Sequence, residues 1–125
     1  MDVTNPSKKK GTVMETAVLN YLRAAFQDAE RNIRRGALHG KDDEGDIHGL
    51  TCRGGRIVVE VKNRRKYMPG EWLDEAERER GNADAAYGVV VFHRNGIGLS
   101  RMGEQGVLMT LDTFTRLIGG EPDER

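Results

Sequence analysis

Two acidic residues and a lysine are spaced in this sequence as the parts of one site. Asp46 precedes Glu60-Val61-Lys62 by 14 positions, and this tripeptide closes an apolar run. Because successive side chains of a β-strand point to opposite faces, Glu60 and Lys62 would project together while Val61 points into the core. Carboxylates and an amine around one point can hold a hard divalent cation beside a phosphate. The spacing therefore predicts the chemistry of a metal-dependent nuclease.

These groups can meet only if the strands that carry them pair in the right register. Residues 53–55, Arg-Gly-Gly, lie between the strands and are typical of a hairpin connection. A two-residue turn at the glycines would point Asp46 to the wrong face, because a slip of one residue turns every side chain over. Convergence therefore predicts either a three-residue connection, with Asp46 opposite Lys62, or a compensating bulge at Gly49.

The remaining elements must hold this hairpin in place. Apolar residues at helical spacing, apolar runs and turn residues predict the elements along the chain. These are a helix over 12–27, strands over 31–35, 46–52 and 56–62, a helix over 71–80, a buried strand over 87–92, short strands over 97–102 and 107–110, and a last helix capped by Asp112 and ending at Gly119. The order predicts an α/β fold with a mixed β-sheet flanked by helices. The strand over 87–92 follows a helix, so we expect it to run parallel to a neighbour.

Glu15 is a third candidate acid. It falls on the flank of the apolar arc of the first helix, where an unpaired carboxylate would be costly to bury. The stretch from Thr12 to Glu15 also has the capping-box pattern, in which the acid accepts a hydrogen bond from a backbone N–H at the start of the helix. Both interpretations, an active-site acid and a helix cap, remain open from the sequence.

Length and composition indicate a single soluble domain. The 125 residues suffice for one core, with a basic flexible segment over 1–10 and a frayed tail over 120–125. The lone cysteine, Cys52, excludes an intrachain disulfide, and no apolar run is long enough to cross a bilayer. We therefore expect a protein of a reducing cytoplasm with no membrane partner.

Charge is segregated along a chain that is neutral overall. Residues 1–66 carry 14 Lys and Arg against 9 Asp and Glu, a net charge of +5, whereas residues 67–125 carry 6 against 11, a net charge of −5. A basic half can gather phosphates despite overall neutrality, although a mixed solvated surface explains the same counts. The candidate DNA-contacting side chains are Lys9, Lys10, Arg34, Arg35, Arg64, Arg65 and Lys66.

Simpler interpretations exist for several of these residues. Taken alone, Glu60 and Lys62 can be a surface ion pair that contributes about 0–1 kcal/mol. Trp72 fits a core position better than a base-stacking platform. A zinc site is disfavoured because the spacing of its candidate ligands lacks the paired signature. Those candidate ligands are His39, His48 and Cys52.

The ordered set of features resembles the PD-(D/E)XK nuclease superfamily. The resemblance rests on Lys10-Gly11, the helical acid Glu15, the step Gly45-Asp46-Ile47, and Val59-Glu60-Val61-Lys62, followed by a helix and an apolar strand. It spans about residues 10–92, and within the superfamily the chain most resembles the Holliday junction resolvases of archaeal type and their phage-encoded relatives. Gly45 stands where the motif's name has proline.

The resemblance implies a restriction-endonuclease-like core and a magnesium-dependent endonuclease in which Mn²⁺ can substitute. The metal ligands would be Glu15, Asp46 and Glu60, with Asp43 and the backbone carbonyl of Val61 as additional candidates. Lys62 would stand beside the scissile phosphate, either as the base that activates water or as a fixed positive charge.

The resemblance also implies a substrate and an assembly. A resolvase would act as a homodimer on four-way DNA, because a symmetric dimer offers two sites for two strands. The alternatives are nicking, restriction or repair of duplex DNA by the same fold, and a non-catalytic DNA-binding subunit.

Overall fold

The computed structural model describes residues 6–36 and 45–122. Three α-helices, five strands and one 3₁₀ helix lie within these ranges. In chain order they are α1 (Pro6–Ala25), β1 (Arg34–Arg35), β2 (Ile47–Cys52), β3 (Gly55–Lys62), α2 (Pro69–Asn82), β4 (Tyr87–Phe92), the 3₁₀ helix Leu99–Glu104, β5 (Gly106–Leu108) and α3 (Leu111–Leu117).

The strands form one mixed sheet in the order β1-β2-β3-β4-β5. β3 and β4 are parallel, as predicted for a strand reached through a helix, and the other neighbouring pairs are antiparallel. The predicted α/β architecture with a mixed sheet flanked by helices is therefore confirmed.

The two long helices cover opposite faces of the sheet. Met14 of α1 belongs to a core that includes Val59 and Val89, whereas Trp72 of α2 packs with Val90. Neighbouring residues of a strand point to opposite faces, so α1 and α2 lie on opposite sides. Glu60 and Lys62 have the parity of the α2 face.

The hairpin between β2 and β3 reaches the required register through a bulge. Its turn is Arg53-Gly54, with Cys52 paired to Gly55, and both turn residues have positive φ, 52° and 79°, as in the tight turns of such hairpins. The predicted three-residue connection is therefore wrong. The predicted bulge is confirmed, because the register shifts between Ile47 and Leu50.

Gly49 lies within this bulge and has a conformation that requires glycine. Its φ is +101°, and a Cβ there would lie 2.1 Å from the backbone oxygen of Asn32. Beyond the bulge Ile47 pairs with Val59, and the Asp46 N–H donates to the Val59 carbonyl at 3.0 Å. Asp46 thus lies opposite Glu60, not opposite Lys62 as predicted.

Helix α1 begins well before the predicted start. Thr12 and Glu15 lie in the interior of α1, which runs from Pro6 to Ala25. The capping-box interpretation is therefore wrong, because a capping box needs a helix that begins at its first residue.

Three smaller predictions also fail. The strand predicted over 97–102 is replaced by a 3₁₀ helix, in which Leu99 and Met102, one turn apart, both pack on the core. Thr110, not Asp112, caps α3, because the Thr110 hydroxyl accepts from the N–H of Thr113 at 3.1 Å. The strand predicted over 31–35 shortens to two residues because the Asp28 carboxylate binds the N–H groups that precede it.

Within residues 6–36 and 45–122, no helix has the length and apolar character needed to cross a membrane.

Candidate functional site

A polar cavity of about 230 Å³ lies between α1 and the adjoining parts of β2 and β3. All four predicted catalytic residues contribute to its wall. The lining residues are Gly11, Thr12, Glu15, Asp46, Glu60, Val61, Lys62, Asn63 and Arg64. The bulge and hairpin therefore bring together residues that are far apart in sequence.

The position of Asp46 depends on two parts of the backbone, the N–H of Val61 and the preceding residue Gly45. Its Oδ2 accepts a hydrogen bond from the Val61 N–H at 2.7 Å. The preceding Gly45 has φ +98°, and a Cβ at this position would lie 2.2 Å from Cγ1 of Val58. Proline is restricted to φ near −65°, so the departure from the motif's name at Gly45 follows from the way this chain enters β2.

Glu60 is the most deeply buried of the predicted catalytic acids, with 5% of its surface exposed. Its carboxyl lies within hydrogen-bonding reach of the Asp46 and Glu79 carboxyls. Burial is the main cause that raises the pKa of Glu60 to about 8. The hydrogen bond with Asp46 and the charge of Lys62 lower this pKa, and the contact with Glu79 raises it.

Lys62 forms an ion pair with a residue of α2. Its Nζ lies 2.7 Å from Oε2 of Glu75, and 14% of the Lys62 side chain is exposed. Burial by itself would lower the pKa of Lys62, but the hydrogen bond to Glu75 and the charges of Glu60, Glu75 and Glu79 together raise it above its usual value. The surroundings therefore favour the ammonium form.

Three carboxylates meet between β3 and α2. Glu60, Glu75 and Glu79 each offer one oxygen, and these oxygens all lie within 4.8 Å of one another. We call these three residues the α2 acidic cluster. The cluster shares Glu60 with the predicted set and adds two acids of α2 to it.

Sequence reasoning missed Glu75 and Glu79, although one signal was present. Glu79 lies at helical spacing from Trp72 and Ala76, which are buried apolar residues of α2, and it is 2% exposed. An acid in a buried stripe is unusual without a partner or a ligand. Glu75 is one helical turn before Glu79, so both acids point to the same side of α2.

Glu15 lines the cavity from α1 and forms an ion pair with Arg35 of β1. The Nε of Arg35 lies 2.8 Å from Oε1 of Glu15, with 44% and 22% of the two side chains exposed. Arg35 also donates a hydrogen bond to the hydroxyl of Thr16. One predicted DNA-contacting residue, Arg35, is therefore engaged with a predicted metal ligand.

The basic stretch Arg64-Arg65-Lys66 is exposed directly after the site strand. Its backbone is anchored, because the side-chain amide of Asn95 donates to the Arg65 carbonyl at 2.7 Å and the Asn95 N–H donates to the Tyr67 hydroxyl at 2.6 Å. The three cationic side chains of this loop therefore stand on a backbone that is anchored by hydrogen bonds.

The other predicted DNA-contacting residues lie on α1 and β1. Lys9 and Lys10 are exposed on the first turns of α1, and the Lys10 carbonyl accepts from the Asn63 side chain at 3.4 Å. Arg34 is exposed on β1 and donates to the carbonyl of Asn32 at 3.2 Å.

Several candidates are not brought into the α2 acidic cluster. Asp43 and His39 lie outside the described residues. The ring of His48 is buried, with 8% of the residue exposed, and Cys52 is half-buried. The backbone N–H of Val61 binds Asp46, and Val61 lines the cavity.

Comparison of the chain with protein-family models, with curated proteins and with solved structures gives no match.

Proposed function

We propose that this protein is a metal-dependent DNA endonuclease with a restriction-endonuclease-like core, which hydrolyses phosphodiester bonds in branched DNA. The observation that carries the proposal is the single cavity lined by Glu15, Asp46, Glu60 and Lys62. An ordinary surface ion pair between Glu60 and Lys62 does not account for this arrangement, because Glu60 is buried against two further carboxyls.

The residues of the cavity fit a divalent cation. Oε2 of Glu60 is buried, and no N–H or hydroxyl group in the described part of the chain donates a hydrogen bond to it. Such an oxygen is costly to bury as an anion unless a cation lies beside it. Asp46 and Glu60 would hold Mg²⁺ or Mn²⁺, with Glu15 as a further oxygen donor from α1. When bound, the ion supplies an activated water and stabilises charge on the phosphate oxygens.

Lys62 is suited to stabilising the charge of the phosphate. The surrounding carboxylates raise its pKa, which favours an ammonium that binds a phosphate oxygen over a neutral amine that removes a proton. Asp46 is oriented by the Val61 N–H, so its carboxylate keeps one direction as the substrate arrives.

The substrate class rests on charge and on the resemblance. Arg64, Arg65 and Lys66 are exposed directly after the site strand, where they can bind the phosphates that flank the cut. Action on four-way DNA and assembly as a homodimer are further parts of the proposal, taken from the similarity to junction resolvases.

The deciding experiment is cleavage of a synthetic four-way junction by the purified protein with Mg²⁺, with Mn²⁺ and with a chelator. We expect cuts only with metal, and we expect Glu60→Gln to abolish them. Asp74→Asn, an exposed acid of α2, is the matched control and should cut as the wild type does. Unchanged cleavage by Glu60→Gln would remove this site from the reaction.

Linear duplex and flap substrates, tested in parallel, separate junction resolution from nicking, restriction or repair. A non-catalytic DNA-binding subunit is the second candidate. It is favoured by one observation, that Glu15 and Lys62 are both engaged in ion pairs within the chain. That function predicts salt-sensitive binding to the junction with no cut under either metal.

A further inference from the structure

Asn63 is a buried amide in the wall of the polar cavity. It follows Lys62, the last residue of β3, and lines the cavity together with Lys62 and Arg64. Only 6% of its surface is exposed. Burying an amide costs free energy unless its oxygen and its nitrogen both have partners. The partners of Asn63 therefore decide which way its donor and its acceptor face.

The oxygen of this amide is bonded to His93, the residue after β4. Oδ1 of Asn63 lies 3.0 Å from Nδ1 of His93. The ring is held at its other nitrogen as well, since Nε2 lies 2.6 Å from the carbonyl oxygen of Ile97. The backbone N–H of His93 donates to the Lys62 carbonyl at 2.9 Å. His93 therefore fixes the direction of the Asn63 amide.

The nitrogen of the amide is turned toward α1. Nδ2 of Asn63 lies 3.4 Å from the carbonyl oxygen of Lys10, and a carbonyl can only accept, so the nitrogen lies on this side and the oxygen faces His93. The contact is long, and the Lys10 carbonyl lies within α1, where it also accepts the helical N–H four residues on. An amide nitrogen has two hydrogens. Asn63 therefore keeps the capacity to donate to a ligand in the cavity.

The wall of the cavity contains acids and hydrogen-bond donors. The acids are Glu15, Asp46 and Glu60, and the side-chain donors at the end of β3 are Lys62, Asn63 and Arg64. The proposed cation fits the acids. A phosphate oxygen, which can only accept, fits the three consecutive donors, and asparagine is among the residues that commonly bind DNA phosphates.

We propose that Asn63 is a further DNA-binding residue, which donates from Nδ2 to a phosphate oxygen in the cavity, and that His93 is its positioning residue. The inference deepens the proposed function and rests on it for the identity of the ligand. The Asn63 amide is neutral and held by His93, so it adds a directed hydrogen bond beside the cationic Lys62 and Arg64.

The test measures the affinity for a fluorescently labelled four-way junction by anisotropy, with Ca²⁺ in place of Mg²⁺ because Ca²⁺ also takes carboxylate oxygens. Asn63→Ala should weaken binding by about tenfold, the usual effect of losing one hydrogen bond to a charged group. Asn20→Ala replaces an exposed asparagine of α1 and should bind as the wild type does. Circular dichroism confirms that the compared variants are folded.

Asn63→Asp separates a contact with DNA from a purely structural role. Aspartate keeps the shape of the side chain and an oxygen for His93, but when ionised it has no hydrogen to donate. It should therefore lose at least as much affinity as Asn63→Ala. Asn20→Asp is the control for the added negative charge and should bind much more tightly than Asn63→Asp. A folded Asn63→Asp or Asn63→Ala variant with wild-type affinity would overturn the inference.

A double-mutant cycle tests the positioning role of His93. In His93→Ala the Asn63 amide is present but no longer held by the ring, so binding should weaken. The double variant Asn63→Ala/His93→Ala should bind no more weakly than Asn63→Ala, because the two residues act through one hydrogen bond. Additive losses of affinity would show that His93 acts independently of Asn63 and would overturn its positioning role.

Cleavage of the junction with Mg²⁺, measured separately, distinguishes this inference from the proposed function. A wild type that binds through Asn63 and does not cut would remove the nuclease proposal and keep the phosphate contact. A wild type that cuts, with an Asn63→Ala variant that binds and cuts equally well, would remove the contact only. A wild type that does not bind the junction would overturn the contact.

Discussion

The ammonium of Lys62 lies 2.7 Å from the carboxylate of Glu75, so the lysine of the candidate site is held by a helix on the α2 face of the sheet. The partner of Lys62 is therefore neither Asp46 nor the adjacent Glu60, and α2 contributes to the site as well as covering the sheet.

Glu75→Gln should lower the pKa of Lys62, because the hydrogen bond to Glu75 is the largest cause that raises it and the charge of Glu75 also contributes. The pair is only partly exposed, so we expect a loss of about 1 kcal/mol in the free energy of unfolding. Nuclear magnetic resonance of the lysine side chains gives the pKa, and urea unfolding gives the stability. Glu77→Gln, which breaks the more exposed pair with Arg80, should leave the pKa of Lys62 unchanged.

Glu60→Gln should stabilise the protein in a chelator at pH 8 while abolishing cleavage. The pKa of Glu60 is about 8 in the folded protein against 4.5 as its ordinary value. The folded state therefore holds a proton that the unfolded state releases, and Glu60 lowers the stability progressively as pH rises from 4.5 to about 8.

Each unit of this pKa difference corresponds to about 1.4 kcal/mol, so the advantage of Glu60→Gln should grow by a few kcal/mol across the interval. Thermal melts of both proteins at pH 5, 6.5 and 8 measure it. A difference in stability that does not change with pH would show that Glu60 titrates normally. Added Mn²⁺ should raise the melting temperature of the wild type more than that of the variant.

Asp46→Asn and Asp46→Ala should separate two roles of the Asp46 side chain, its hydrogen bond with the backbone and its proposed binding of the metal. Asparagine can still accept the hydrogen bond from the Val61 N–H, which is 2.7 Å long in the wild type, so its stability should stay close to that of the wild type. Alanine cannot, and we expect it to cost about 1–3 kcal/mol. Both should reduce cleavage by at least about 100-fold, because both remove the anionic carboxylate that is proposed to bind the metal. Equal stability of the two variants would contradict the hydrogen-bond role.

Gly45→Pro, which restores the motif's named residue, should destabilise the fold. Gly45 has φ +98°, and any Cβ there would meet Val58 at 2.2 Å. Proline at such a position costs about 3 kcal/mol or more. Gly70→Ala is the control, since a Cβ at Gly70 meets nothing within 4 Å and alanine favours a helix. Urea unfolding compares the two, and a fully stable Gly45→Pro variant would refute this account of the entry to β2.

Replacing Arg64, Arg65 and Lys66 by alanine should weaken DNA binding and flatten its salt dependence. Each lost phosphate contact should reduce the slope of log K against log salt by about 0.9. Arg78→Ala, an exposed cation on α2, is the control and should leave the slope unchanged. Fluorescence anisotropy with a labelled junction at several salt concentrations measures both. An unchanged slope in the triple variant would place the DNA elsewhere on the surface.

Local patterns in the sequence were sufficient for the central elements. The apolar run of β4 predicted its bounds and its parallel pairing, because a buried strand reached through a helix has few alternatives. Short segments were harder to predict. Leu99 and Met102 have a spacing that is compatible with a 3₁₀ turn as well as with a strand, and only their packing on the core selects the turn.

The sequence by itself determined that Glu60 and Lys62 share one face of a strand, because alternation is a property of the backbone. It also showed that Asp46 could share this face only if the hairpin had either a longer turn or a bulge at Gly49. Only the tertiary structure decided for the bulge, placed Asp46 opposite Glu60, and turned Glu75 and Glu79 toward that pair. Those relationships depend on which face of the sheet α2 covers, a contact between distant segments that no local pattern of residues specifies.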